Sequence, residues 1–391
     1  MSTASPEITI VGPIAAQAAT RREARTQPRA RTGEAFYIPS LDGIRAAAVM
    51  LVFVAHAGLN DRVPGSFGVT AFFFLSGYLI TTLLRMEFDR TGAISLRAFY
   101  LRRSLRIFPP MYLVLLGATA LTLSGLMDGA IQPGAFAAQA FYLSNYYIVQ
   151  HGWWDGRAPG TWIYWSLAVE EHFYFIFPLL YIGLRRWLPS RMRQTVVLFG
   201  LCAAVLAWRL VLVYALGAGH DRTYVASDTR VDSILFGCVL AVWANPVLDL
   251  DKSRISDRWW KWALFPLGVG GLLISYLIPG EAFGETFRYT LQGLSLLPLF
   301  AIAVRYPDWG IFSLLNHPWV RYVGVVSYSI YLMHPTVLYM VHEWTPWNGV
   351  VQGALSLALT LALSTAMYRL VEQPCARLRK RLSRIILPTT N

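Results

Sequence analysis

Arg45 and His56 lie eleven residues apart in an apolar run, "IPSLDGIRAAAVMLVFVAHAGL", beginning at residue 38. A fixed cation and a titratable imidazole are costly in lipid, so inside a membrane segment both are first read as functional and facing the bundle interior. On a straight α-helix eleven residues turn through about 1100°, about 20° beyond three full turns, placing both side chains on one face about 16 Å apart along the axis. An imidazole that titrates near neutrality suits proton transfer, which makes His56 the candidate general base. Taken alone, Arg45 is better read as a snorkelling anchor at the helix boundary.

Four further stretches carry polar groups into apolar surroundings. In "RAFYLRRSLRIFPPMY", Arg103 and Arg106 are three apart and point the same way on a helical turn. Paired guanidinium forks match phosphate oxygens, although ordinary loop charge is the plain alternative. In "WIYWSLAVEEHFYFIFP", i,i+4 spacing puts Ser166, Glu170 and Tyr174 on one face. Glu171 sits about 100° away, so only one carboxylate of the pair is expected at a shared cavity. A carboxylate beside an imidazole would orient it, which is the role expected of Glu170 toward His56. In "SDTRVDSILFG", Arg230 is expected to pair internally with Asp228 or Asp232. In "SYSIYLMHP", Ser327, Tyr331 and His334 share a face, and Pro335 frees a backbone carbonyl in the preceding turn.

These groups need a lipid-embedded scaffold. The chain has 391 residues, 55% hydrophobic and 14% charged, with mean hydropathy +0.44, whereas soluble domains carry about 25% charged residues. Its net charge of +12 is gathered in short Arg clusters between apolar runs, a pattern of cytoplasmic membrane loops and not of a nucleic-acid surface. Cys202, Cys238 and Cys375 are isolated, with no disulfide or metal spacing. No metal and no bound cofactor are expected. Residues 1–35 read as a disordered basic tail that touches anionic headgroups.

Ten spans of about 20 residues are expected, at 43–60, 67–85, 107–127, 163–184, 195–216, 230–245, 261–279, 288–304, 322–342 and 350–371. An eleventh apolar stretch, 135–149, holds Gln139, Ser144 and Asn145 and is expected to be interfacial or re-entrant. With ten spans all six basic clusters fall on one side, which the positive-inside rule makes the cytoplasm. The expected fold is therefore an all-α integral membrane bundle of about ten transmembrane helices in the plasma membrane, both termini cytoplasmic. Buried ionisable groups also fit a transporter or flippase for a glycoconjugate, although no internal repeat is evident.

Seven segments in order, "YIPSLDGIRAAAVMLVFVAH", "FGVTAFFFLSGYLIT", "RAFYLRRSLRIFPPMY", "WSLAVEEHFYFIFP", "SDTRVDSILFGCVLA", "SYSIYLMHP" and "YRLVEQPCARLRKRL", resemble the membrane-bound acyltransferase 3 family. The resemblance spans roughly 36–381 and sets the expected domains: tail 1–35, transmembrane acyltransferase 36–375 and basic cytoplasmic tail 376–391. It implies transfer of an acyl group from acyl-CoA, as co-substrate, to a hydroxyl of a sugar, glycan or macrolide-type acceptor. The family's basic-x10-His pattern is matched by Arg45 and His56, its RxxR pattern by Arg103 and Arg106, and its Trp-Ser-Leu…Glu motif by Trp165, Ser166 and Glu170. His56 and Glu170 are thus the expected catalytic pair, and Arg45, Arg103 and Arg106 the donor-binding cations. Asp42, Ser76, Trp165, Ser166, Arg230, Tyr331 and His334 are cavity or acceptor candidates, Asp42 shaping the donor tunnel with Arg45. The chain shows no fused hydrolase-like domain, so a stand-alone enzyme similar to macrolide-sugar acyltransferases is expected, with antibiotic biosynthesis as the setting.

Overall fold

The computed structural model describes residues 38–386 except 60–61 and 250–254, with side chains described as far as residue 382. The expected tail at 1–35 and residues 387–391 lie outside the described residues. From Pro39 onward the chain forms one compact unit, and every regular element among the described residues is helical.

Helix α1, Pro39–Val54, begins on a proline, whose missing N–H is one of the unpaired donors of a helix start. Asp42 lies in its first turn, where the helix dipole favours an anion. Past Val54 the backbone widens into a π-turn, Ala55–Leu59, and leaves helical geometry at Ala57 and at Gly58, φ 100°. His56 therefore sits in a widened last turn, a feature frequent at functional sites.

Helices α2, Gly65–Thr91, and α3, Leu96–Leu123, follow as long spans. The 135–149 stretch folds as α4, Pro133–Ala140, and α5, Ser144–His151, with Tyr142 at φ 58° between them. Neither is long enough to cross a bilayer. Then come α6, Tyr164–Trp187, α7, Arg191–Leu210, the short α8, His220–Val225, and α9, Ser227–Trp243. The remainder is α10, Asp257–Leu277, α11, Glu281–Glu285, α12, Phe287–Arg305, α13, Pro318–Val325, α14, Ser327–Trp344, α15, Gly349–Met367, and α16, Gln373–Ile386.

Among the described residues, eight helices are long and apolar enough to cross a membrane by length and composition; ten were expected. The two that fall short, α9 and α14, stand where the sixth and ninth spans belong; α9 has 17 residues, and α14, with 18, is too polar. Helix α9 is central: Thr229, Arg230, Asp232 and Ser233 are all 0% exposed, so protein rather than lipid solvates it. The ninth span also departs from the expected 322–342, because the chain breaks at Val326 between α13 and α14. The C-terminal stretch adds a last helix. The stretch 376–391, expected as a basic tail, is helical as far as Ile386, within α16.

Close backbone approach holds the centre together. A Cβ on Gly77 of α2 would lie 1.9 Å from the Ile234 carbonyl oxygen, and one on Gly237 of α9 1.9 Å from that of Phe74. Without a hydrophobic drive between helices in lipid, such small-residue seams let backbones touch. Gly324 of α13 meets α1 in the same manner, against the backbone of Asp42.

Candidate active site

Five helices converge on a cavity of about 100 Å³ lined by Arg45, Ser76, Arg103, Arg106, Ser166, Glu170, Glu171, Tyr174, Ser327 and Tyr331, among others. Arg45 Nη1 donates to Asp42 Oδ1 at 2.8 Å. Tyr174 donates to Glu170 Oε2 at 3.1 Å and meets Ser76 Oγ in a short contact. The Arg103 guanidinium lies 4.9 Å over the Tyr174 ring. Among the described residues neither Arg103 nor Arg106 makes an ion pair. Two guanidinium forks thus face one small space with their hydrogen-bonding capacity available for an anion.

Glu171 lines this cavity beside Glu170, contrary to the expectation that only one would. Its Oε1 is buried without a hydrogen-bond partner. The cavity wraps far enough around α6 to admit two neighbouring positions.

A second cavity, of about 690 Å³, is lined by His56, Trp153, Trp154, Trp162, Asp128, Asp155, Gln132, Pro335 and His342, among others. No residue lines both cavities. Arg45 and His56 therefore face the bundle interior but open onto different spaces. Ser166 and Tyr331, whose hydroxyls are 2.6 Å apart, line the first cavity. The Tyr331 and His334 rings come next, 5.9 Å between centroids.

His56 takes its partner from α14. Its Nδ1 lies 2.9 Å from Nε2 of His334, and its ring meets Trp162 edge-on at 4.6 Å. The expected Glu170 partnership is corrected here: Glu170 hydrogen-bonds Tyr174 on its own helix and lines the other cavity.

Four of the cavity or acceptor candidates, Asp42, Trp165, Arg230 and His334, line neither cavity. Trp165 and Arg230 are buried together, with the Arg230 guanidinium 5.8 Å from the Trp165 ring and 3.9 Å from Tyr289. Arg230 donates to Thr70 Oγ1 and the Tyr224 carbonyl and pairs with neither neighbouring aspartate. Positions two apart fall on opposite sides of a helix, so Asp232 pairs instead with Arg209 at 2.7 Å and Asp228 with Arg222. Asp42 is buried beside Arg45 without lining the cavity itself.

Apart from His56 and Pro335, the residues named in the second cavity had no assigned role in the sequence reading. Trp153 donates Nε1 to Asp221 Oδ1 at 2.6 Å, Gln132 donates to Asp155 Oδ1 at 2.8 Å, and Trp162 sits 6.1 and 6.2 Å from Trp153 and Trp154. The signal for them was the run "HGWWDGRAPGTW": three tryptophans with Asp and Arg in a connection between spans.

Sequence comparison adds the family. The profile Acyl_transf_3, described as an acyltransferase domain, matches residues 38–369. The peptidoglycan O-acetyltransferase OatA of Listeria monocytogenes is 30% identical over 359 residues, 86% of this chain and 56% of that protein. The O-acetyltransferase OatA of Staphylococcus aureus is 30% identical over 355 residues, 86% of this chain and 57% of that protein. The chain thus spans less than two thirds of the length of these relatives. No solved structure matches.

Proposed function

The chain belongs to the acyltransferase 3 family, and from that premise we propose that it is a multi-pass membrane O-acyltransferase moving an acyl group from acyl-CoA to a hydroxyl of a cell-wall glycan. The observation that carries this reading is the pair of cavities on either side of the His56–His334 contact: a small one with two unpaired arginines, and a large one walled by tryptophans. Arg103 and Arg106 hold the donor phosphates, with Arg45 beside them; basic clustering supports a cytoplasmic mouth for that cavity. The thin pantetheine arm then has to pass Ser166 and Tyr331 to bring the thioester to His56. In the tryptophan cavity, ring faces supply apolar area while Asp128, Asp155 and Gln132 supply hydrogen bonds to hydroxyls.

In the reaction His56 removes the proton from the acceptor hydroxyl as its oxygen attacks the thioester carbonyl. The C–O bond forms, the C–S bond breaks, and the leaving thiolate recovers the proton from the imidazolium. Products are the ester and free CoA thiol. Family membership speaks against the transporter alternative, and the named relatives favour a peptidoglycan-type acceptor over a macrolide sugar. Purified protein in nanodiscs, given labelled acetyl-CoA and peptidoglycan fragments, is expected to form a labelled ester. Formation of no ester with any glycan acceptor contradicts the reading.

A further inference from the structure

His334 is fully buried, 0% exposed, and its surroundings settle which of its nitrogens carries hydrogen. Pro335 has no N–H, so the carbonyl of Tyr331, four residues earlier, has no helical donor. That carbonyl lies 2.8 Å from His334 Nδ1, with the Ile330 carbonyl at 3.0 Å. A carbonyl oxygen only accepts, so His334 Nδ1 must be the N–H. With both rings neutral, His334 Nε2 is then a bare lone pair, and the contact 2.9 Å away requires His56 Nδ1 to donate to it.

The ring geometry supports a linear bond. The rings are parallel to within 3° and their centroids lie 5.1 Å apart. That separation approaches the sum of the nitrogen–nitrogen distance and two ring radii. It is reached only when both nitrogens lie on the line joining the centroids, so the rings meet edge to edge and are not stacked face to face. His56 Nε2 is left bare, with no hydrogen-bond partner among the described residues, on a ring that lines the tryptophan cavity.

We infer that His334 is a positioning residue that locks His56 in the Nδ1–H tautomer and so presents Nε2 as the base. The inference rests on the reading of His56 as the general base. The chain His56–His334–Tyr331 carbonyl does with a neutral ring and a proline-freed carbonyl what a buried carboxylate does in a catalytic triad. When His56 takes a proton at Nε2, its Nδ1–H bond to His334 strengthens, and both carbonyls face the developing charge.

The test combines kinetics with the ring-nitrogen NMR of the full-length, histidine-labelled protein in nanodiscs, the His56 signals assigned by their loss in His56→Gln. Wild-type protein is expected to show His56 protonated at Nδ1 and bare at Nε2. His334→Leu removes the acceptor and is expected to lose kcat by about 10²–10⁴ with KM for acyl-CoA unchanged. His334→Gln offers an amide oxygen to the same N–H and an amide N–H to the freed carbonyl, and is expected to recover most of that loss. A resting His56 protonated at Nε2, or a His334→Leu enzyme with wild-type kcat, overturns the inference. If His334→Leu does not fold, the wild-type spectrum decides alone. If His56→Gln keeps full transfer, the base reading falls, while the spectrum still reports the tautomer.

Discussion

His56 on α1 and His334 on α14 are separated by 278 positions in the chain, yet their facing nitrogens are 2.9 Å apart. One ring lines the tryptophan cavity and the other abuts Tyr331, which lines the arginine cavity. Through Tyr331 and His334, contacts thus run from a lining residue of one cavity to His56 in the other.

Donor binding should answer to the arginine forks. Arg103→Lys and Arg106→Lys keep charge but lose bidentate geometry, and a hydrogen bond to a charged group is worth about 1.5–3 kcal/mol. Each is expected to raise KM for acyl-CoA about tenfold or more with kcat little changed. Steady-state kinetics checks this; an unchanged KM in both variants removes the phosphates from this cavity.

On the proposed path the acyl arm passes a wall of the arginine cavity held by the Ser166–Tyr331 contact. Tyr331→Phe deletes the hydroxyl, and loss of a hydrogen bond worth about 1 kcal/mol favours the open wall about fivefold. Acyl-CoA hydrolysis without acceptor is expected to rise by about that factor. A rate equal to wild type means the acyl arm takes another path.

The glycine seam between α2 and α9 has no room for a methyl group. Gly237→Ala drives a Cβ toward the Phe74 carbonyl and the Tyr78 amide, and overpacking of this kind costs about 1–3 kcal/mol. A lowered Tm in detergent is expected, with the same outcome for Gly77→Ala; unchanged melting in both contradicts the tight seam.

Outside the spans, His220 on α8 meets Glu285 of α11, Nδ1 to Oε1 at 2.6 Å. The Glu285 hydrogen bond is the largest influence and raises the histidine pKa above its ordinary value. The stabilisation is fully present below about pH 6.5, the unfolded value, and is lost as pH rises through the raised folded value. Thermal stability of the wild type relative to His220→Gln should therefore fall as pH climbs above about 6.5. A pH-independent difference rules out this linkage.

Local spacing made part of the site legible. Arg103 and Arg106 share a turn, and Ser166, Glu170 and Tyr174 form an i,i+4 ridge; both sets line the arginine cavity. Helical arithmetic needs only neighbours on one element. It did not show that Arg45 and His56, about 16 Å apart along the helix axis, open onto two different cavities. It also failed where partners come from distant helices: nothing near Arg230 announces Tyr289, and nothing near His56 announces His334. Apolar runs did locate α9 and α14, as the sixth and ninth spans, but not that neighbouring helices enclose the polar residues of α9.

The most direct measurement is acyl transfer by purified His56→Gln protein with labelled acyl-CoA and glycan acceptor, alongside CoA binding to the same preparation. Loss of a general base predicts a fall in kcat of about 10²–10⁴ with CoA affinity intact. Transfer at the wild-type rate by folded, CoA-binding protein contradicts the account.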